Sequence, residues 1–434
     1  MYIADLRCKY AHRVFYGWWI VLGGVLVNFL NGGLLFHGFS AYVLPLQQEF
    51  GWSRAVLSGA FSMARLESGI LEPLQGWLID RYGPRPMMLL GNGLFGAGFI
   101  LLSRMDSIPT FYLSFALLAL GSSLGGFMPI AAALTNWFAR WRATALGITM
   151  AGTGIGGMLV PTVAWSLSTY GWRPTAFMSG LLIFAVGLPA SLLMRHQPEA
   201  YGHLPDGAKD LPDAARSNVP GAPGTIDTEP QFSTRQALRT SAFWLLSTSH
   251  GAALLIVGTV LLHQIPHMVE NMELSEEKAA FIVSLLLLCT VLGQLLGGYI
   301  GDRVNKRLGI FACMWMHTLG IVVFTYATTA TGAIVFAVLH GTAWGVRAPL
   351  INSLRADYFG RSSFAMISGF AALLVMFGMT LGPLFAGFMH DLNGDYEAAF
   401  LILGGLTALG SGAILLARRP VLPAPGPAPE YRPR

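Results

Sequence analysis

The sequence predicts an all-α membrane protein, with twelve transmembrane helices arranged as two pseudo-symmetric six-helix bundles. Three observations carry that expectation. Of 434 residues, 54% are hydrophobic and only 11% charged, and the mean hydropathy is +0.56; a soluble globular chain carries about 25% charged residues. The apolar residues are gathered into twelve long, continuous runs. Landmarks of the first half also recur in the second at one nearly constant offset.

The runs lie near 15–43, 55–79, 86–103, 110–138, 143–168, 174–194, 241–266, 279–301, 308–328, 332–354, 363–389 and 397–417. A helix crossing a bilayer needs about 20 mainly apolar residues, and the runs are too long and continuous for barrel strands. The first follows Arg7, Lys9 and Arg13. It exceeds the roughly 7–15 apolar residues of a signal peptide, so it reads as an uncleaved first helix. Of the 27 Lys and Arg, 21 fall on one side of the predicted bilayer and four on the other, with Arg65 and Arg347 inside helices. The positive-inside rule then places both termini in the cytoplasm, across an inner or plasma membrane.

Residues 196–240 are rich in Pro, Asp, Ala and Gly and read as a flexible cytoplasmic linker between bundles 1–195 and 241–419. The Pro-rich tail 420–434 is expected to be disordered. The halves are copies. Asp80 recurs as Asp302, Gly125 and Pro129 as Gly345 and Pro349, Trp137-Phe138-Ala-Arg140 as Tyr358-Phe359-Gly-Arg361, and Pro161 as Pro383. Parallel repeats with a substrate site at their interface are a known transporter plan, in which one half rocks against the other.

The segment Ala64–Pro86 ends in Gly76-Trp-Leu-Ile-Asp80-Arg81-Tyr-Gly-Pro-Arg85, and Gly298-Tyr-Ile-Gly-Asp302-Arg303-Val-Asn-Lys-Arg307 repeats its Gly, Asp, Arg, Arg spacing. These two segments resemble the loop 2–3 and loop 8–9 signature of the major facilitator superfamily. Glu49-Phe-Gly-Trp-Ser-Arg54 and the run 136–152 are similar to its monocarboxylate and oxalate–formate branch. The branch's helix 5 pattern maps by spacing onto Trp137, Phe138, Arg140, Trp141, Arg142, Thr144, Ala145, Gly147, Thr149, Ala151 and Gly152. The animal carriers place an Asp and Arg pair in helix 8, where this chain has no charge before Asp302. The resemblance implies that Asp80, Arg81, Arg85, Asp302, Arg303 and Arg307 form ion pairs and helix-end contacts that hold the cytoplasmic side shut; positive-inside anchoring alone accounts for the arginines only.

Buried charge is asymmetric between the halves. Arg347 lies about fifteen residues into helix 10, where an isolated charge costs several kcal/mol. Helix 10 lines the central cavity in the superfamily, and a guanidinium can offer a carboxylate two parallel hydrogen bonds. Arg347 is thus a candidate for binding a substrate carboxylate, with a structural ion pair as the alternative. His340, seven residues earlier, shares its face. In helix 2, Arg65 and Glu72 share a face while Glu67 points elsewhere. Arg65 is a substrate-binding candidate, and Glu67 and Glu72 are proton-coupling candidates or parts of an Arg–Glu lock. His263 is a further proton-coupling candidate, as readily a packing residue. Asn28 and Asn31, in the middle of helix 1, are candidates for lining the cavity.

Cys8, Cys289 and Cys313 have no paired spacing, so neither a disulfide nor a metal site is expected. The glycines at 152–157 follow no strand, and no P-loop is present, so neither nucleotide binding nor ATP-driven pumping is indicated. No nucleophile lies beside a base at a recognisable spacing. Gly152 and Gly156, then Gly293, Gly297 and Gly301, are spaced for close helix packing. The expected function is secondary active transport of a small organic anion, a mono- or dicarboxylate, coupled to protons, by rocker-switch alternating access. Efflux of an amphipathic drug or metabolite is an alternative suggested by 18 Met and many aromatics, and a non-transporting membrane sensor is another. The expected partners are the organic anion, protons and the lipid bilayer, with no cofactor, no enzymatic activity and no nucleic acid; the chain is expected to be a monomer.

Overall fold

The computed structural model describes residues 14–208 and 230–422. Among these described residues, eleven helices are long and apolar enough to cross a membrane. They are α1 Gly17–Phe50, α3 Pro84–Ser103, α4 Ile108–Trp137, α5 Arg142–Tyr170, α6 Trp172–Leu192, α7 Ser241–Glu270, α8 Glu276–Gly301, α9 Lys306–Tyr326, α10 Ala330–Phe359, α11 Phe364–Asn393 and α12 Glu397–Leu416. The twelfth, α2, is Arg54–Tyr82. At 1.5 Å per residue its 29 residues extend about 44 Å, enough for a bilayer.

The helix starts follow local chemistry. Ser53, Thr240 and Ser275 each accept a hydrogen bond from a backbone N–H in the first turn of α2, α7 and α8, as N-cap residues do. Glu276 and Glu277 add negative charge at the start of α8. Gly83, at φ 86°, turns the chain directly into Pro84 at the head of α3. Among the described residues four helices depart from regular geometry: α1 carries a π segment at Asn31–Phe36 and a 3-10 segment at Gly38–Tyr42, α4 is interrupted at Gly126, α5 carries a 3-10 segment at Gly157–Leu159, and α6 a π segment at Ile183–Gly187.

Large apolar side chains such as Leu292, Leu296, Leu384, Phe388 and Leu409 stay on the outside. That is the surface a lipid solvent accepts. The glycines expected to permit close packing do so: Gly156 lies against the Phe29 carbonyl of α1, and Gly297 against Val346 of α10.

The halves meet along two matching seams, α2 against α11 and α5 against α8. A Cβ on Gly76 would lie 2.4 Å from the Ala365 carbonyl, and one on Gly147 would lie 2.3 Å from that of Gln294. Both seams close toward the face that carries the connection between the halves, called the linker face below. The two described ends of that connection, expected to be flexible, are instead packed. The Asp206 carboxylate accepts from the backbone N–H groups of Ala139, Arg140 and Trp141 in the turn after α4. Gln231 Oε1 accepts from Arg361 and Ser362 in the matching turn after α10. Phe232 is 1% exposed, and Thr234–Leu238 forms a short helix before α7. The middle of the linker, 209–229, and the tail 423–434 lie outside the described residues.

Candidate functional site

Two groups of polar residues stand out in the folded chain, one inside the second half and one across the linker face. The first centres on Arg347. Its side chain is 1% exposed, and its Nε and Nη1 have no hydrogen-bond partner among the described residues. Sequence reasoning directs it toward the central cavity. The structure sets it among α7, α9 and α10, in electrostatic reach of His250, Cys313, His317 and His340. The apolar core around it includes Met314, Ala343, Val346 and Leu350. His340, the expected companion, is fully buried and bonded to His317 of α9, with 3.1 Å between their Nδ1 atoms.

Asn28 donates to the Thr149 carbonyl and so ties α1 to α5. Asn31 donates to Val27 in its own helix, leaving its Oδ1 without a partner among the described residues. His263 has partners at both ring nitrogens, the Tyr396 hydroxyl at 3.3 Å and the Pro383 carbonyl at 3.0 Å, so it packs α7 against α11 and the start of α12. Glu67 is half-buried. The Arg65 side chain lies outside the described residues, so neither its binding role nor its pairing with Glu72 is drawn further. Glu72 interacts electrostatically with Arg355 of α10. Arg355, 5% exposed, also donates to Asn352 and Ser368. Glu72 and Arg355 thus form an Arg–Glu contact between helices, and it joins the two halves.

The second group closes the linker face. Asp80 accepts from the backbone N–H groups of Ala365 and Met366 at 3.1 and 2.9 Å, and Asp302 from those of Ala143 and Thr144 at 2.8 and 2.9 Å. Each aspartate thus caps the start of a helix in the opposite half, where unpaired N–H groups and the helix dipole favour a carboxylate. The expected helix-end contacts are present, but the ion pairs belong to other residues. Arg142 of α5, 1% exposed, pairs at 2.7 Å with Asp357 of α10, which also holds Lys306. Arg361 donates to the Asn136 carbonyl in the first half and pairs with Glu199 at the start of the linker. Arg81 stacks over Trp77 and Tyr82, Arg303 binds the Tyr299 carbonyl and lies over Trp141, Arg307 binds the Ala417 carbonyl, and Arg85 is exposed.

Sequence reasoning missed Arg142, Arg355, Asp357, His250 and His317. The first two counted as loop cations because the predicted helices stopped short of them; α10 continues to Phe359. Asp357 had a signal, since it aligns with Asn136 at the offset that pairs Trp137 with Tyr358.

Comparison with known proteins bears on the whole chain. A family model of the Major Facilitator Superfamily matches residues 21–263 and 259–433. Monocarboxylate transporter 13 of Bos taurus is 25% identical over 406 residues, 92% of this chain and 89% of that protein. The oxalate:formate antiporter of Oxalobacter formigenes is 24% identical over 399 residues, covering 89% and 87%. Among solved structures, the E. coli fucose:proton symporter superposes with a TM-score of 0.68 at 14% identity, over 93% of this chain and 98% of that one. The human organic anion transporter MFSD10 gives 0.64 at 18% identity, over 91% and 98%.

Proposed function

This chain belongs to the major facilitator superfamily, and on that premise we propose that it carries a small organic anion, a mono- or dicarboxylate, coupled to protons. The observation that carries the reading is the buried Arg347 guanidinium with two donors unpartnered among the described residues. An unpaired charge in an apolar core is costly, and a carboxylate is the partner that satisfies both charge and donors. The carriers it resembles are named for monocarboxylates and for oxalate and formate. Arg347 is the carboxylate anchor in this reading. Asp80 and Asp302, each capping a helix of the other half, are the latches of a cytoplasmic gate that release when the halves rock. Both termini and the linker face are cytoplasmic by the excess of Lys and Arg on that side.

Uptake of a panel of radiolabelled mono- and dicarboxylates into proteoliposomes, with the outside made acidic, tests the reading. At least one acid is expected to accumulate; no acid-dependent uptake of any member would sink it. Arg347→Lys keeps the charge but not the planar donor set, and is expected to raise the apparent KM of the transported acid tenfold or more, about 1.4 kcal/mol. An unchanged KM would remove Arg347 from the site.

A further inference from the structure

The core of the second half holds a polar pair that carboxylate binding at Arg347 leaves unused. His317 and His340 are both 0% exposed, and their rings lie 4.5 Å apart at 68°. Two neutral imidazoles joined Nδ1 to Nδ1 must differ in tautomer: one donates its Nδ1–H and the other accepts it. The donor ring then has a bare Nε2 lone pair, and the acceptor ring an Nε2–H. Both Nε2 atoms are buried with no partner among the described residues. The pair therefore ends in one orphaned acceptor and one orphaned donor, a costly arrangement for a purely structural contact.

We propose that the His317–His340 pair is the binding site of the transported proton, coupled to the carboxylate at Arg347; the proposal rests on the anion-transport reading above. The proton adds to the bare Nε2 lone pair, and no bond breaks. The central Nδ1–H···Nδ1 bond survives with an imidazolium as its donor, so the pair accepts the proton without repacking.

The surroundings explain the coupling. Arg347 of α10 acts electrostatically on both histidines, and it is in turn within reach of His250 of α7, which Arg355 also reaches, and of Cys313 of α9; Cys289 of α8 packs against Gly341. α12 meets α9 here through Gly404 and has no ionisable side chain after Glu397. Arg347 is the fixed charge that acts on the pair. A proton on the pair puts a second positive charge near it in an apolar core, where Coulomb interactions are weakly screened. A carboxylate at Arg347 cancels the first charge. Proton and anion each favour the binding of the other, and by the same factor.

The full-length protein in proteoliposomes provides the test, with radiolabelled lactate, formate and oxalate as probes. Two rates are compared: uptake driven by an acidic exterior, and exchange of the same acid at equal pH on both sides. The unaltered protein is expected to do both. His317→Gln is expected to lose at least tenfold of the acid-driven uptake while exchange, measured with the acid saturating on both sides so that weakened anion binding is overcome, stays within threefold, and His317→Asn, a smaller side chain, to do the same. In weakly buffered detergent solution, a pH-sensitive dye should report about one proton taken up per anion bound by the unaltered protein and almost none by either variant. Acid-driven uptake that persists in both variants overturns the proposal. So does exchange lost together with it, which marks a packing role, or anion binding by the unaltered protein with no proton uptake. An unaltered protein that neither takes up nor exchanges any probe acid overturns the anion-transport reading as well.

Discussion

Arg347 and Arg355 lie eight residues apart on α10, and their surroundings diverge. Arg355 has Asn352, Ser368 and the electrostatic partnership of Glu72 across the seam between halves. Arg347 has two donors that no described residue meets. A guanidinium that is paired at rest holds structure, whereas the unpartnered donors of Arg347 suit the anion anchor proposed above. Truncation should separate these roles. Arg355→Ala removes an interhalf contact and leaves the Glu72 carboxylate, partly buried, without its counter-charge, so the melting temperature of the purified protein should fall by several degrees. Arg347→Ala removes a buried charge with no resident partner. It should lower melting far less, or raise it, while transport collapses. Asp357→Asn bears on a third arginine, because it removes one carboxylate from the buried Arg142 guanidinium. Breaking a fully buried pair costs about 3–5 kcal/mol; Asp357 is 32% exposed, so the loss, read as a shift in thermal melting, should sit below that range.

Each seam between the halves is built from a glycine that admits a foreign backbone and an aspartate that caps a foreign helix. Gly76 and Asp80 serve the α2–α11 seam, and Gly147 with Asp302 the α5–α8 seam. The glycine sets the distance and the aspartate sets the register, because its two oxygens reach two adjacent N–H groups only when the helices are fully docked. Gly147→Val would place side-chain atoms where the Gln294 carbonyl now stands, so the α5–α8 seam cannot close. Cysteines introduced on the linker face of that seam should then react with a water-soluble thiol reagent several times faster than in the unaltered background. The repeated motif was legible in the sequence because both halves spell it out. Its partners were not: Ala365, Met366, Ala143 and Thr144 contribute only backbone N–H groups, which any residue except proline supplies.

At the scale of the molecule, the interhalf hydrogen bonds described above all lie toward the linker face, which is the closed face in this conformation. The linker takes part, since Glu199 follows α6 of the first half and pairs with Arg361 of the second. Opening this face must break the two aspartate caps, the Arg142–Asp357 pair and the Glu199–Arg361 pair together. Asp80→Ala combined with Asp302→Ala removes four of those hydrogen bonds. Spin labels on opposite sides of the linker face should then show a longer, broader distance distribution by double electron–electron resonance. An unchanged distribution would mean that the aspartates do not set the conformational balance.

The sequence by itself determined the fold class, the twelve spans, the duplication and the family. Each depends on patterns along the chain, namely hydrophobic run length, charge placement and a fixed offset, that hold whatever the side chains touch. It also located Arg347 as a buried charge, since helix position alone prices an ion in a membrane. Only the tertiary structure decided what that arginine faces and which carboxylate meets which cation. The reason is rotational: a residue's place along a helix is written in its number, whereas its direction depends on how twelve helices are turned against one another. That choice put Arg347 beside an imidazole pair inside the second half, and it moved the interhalf charge contacts to Arg142, Asp357, Arg355 and Glu72.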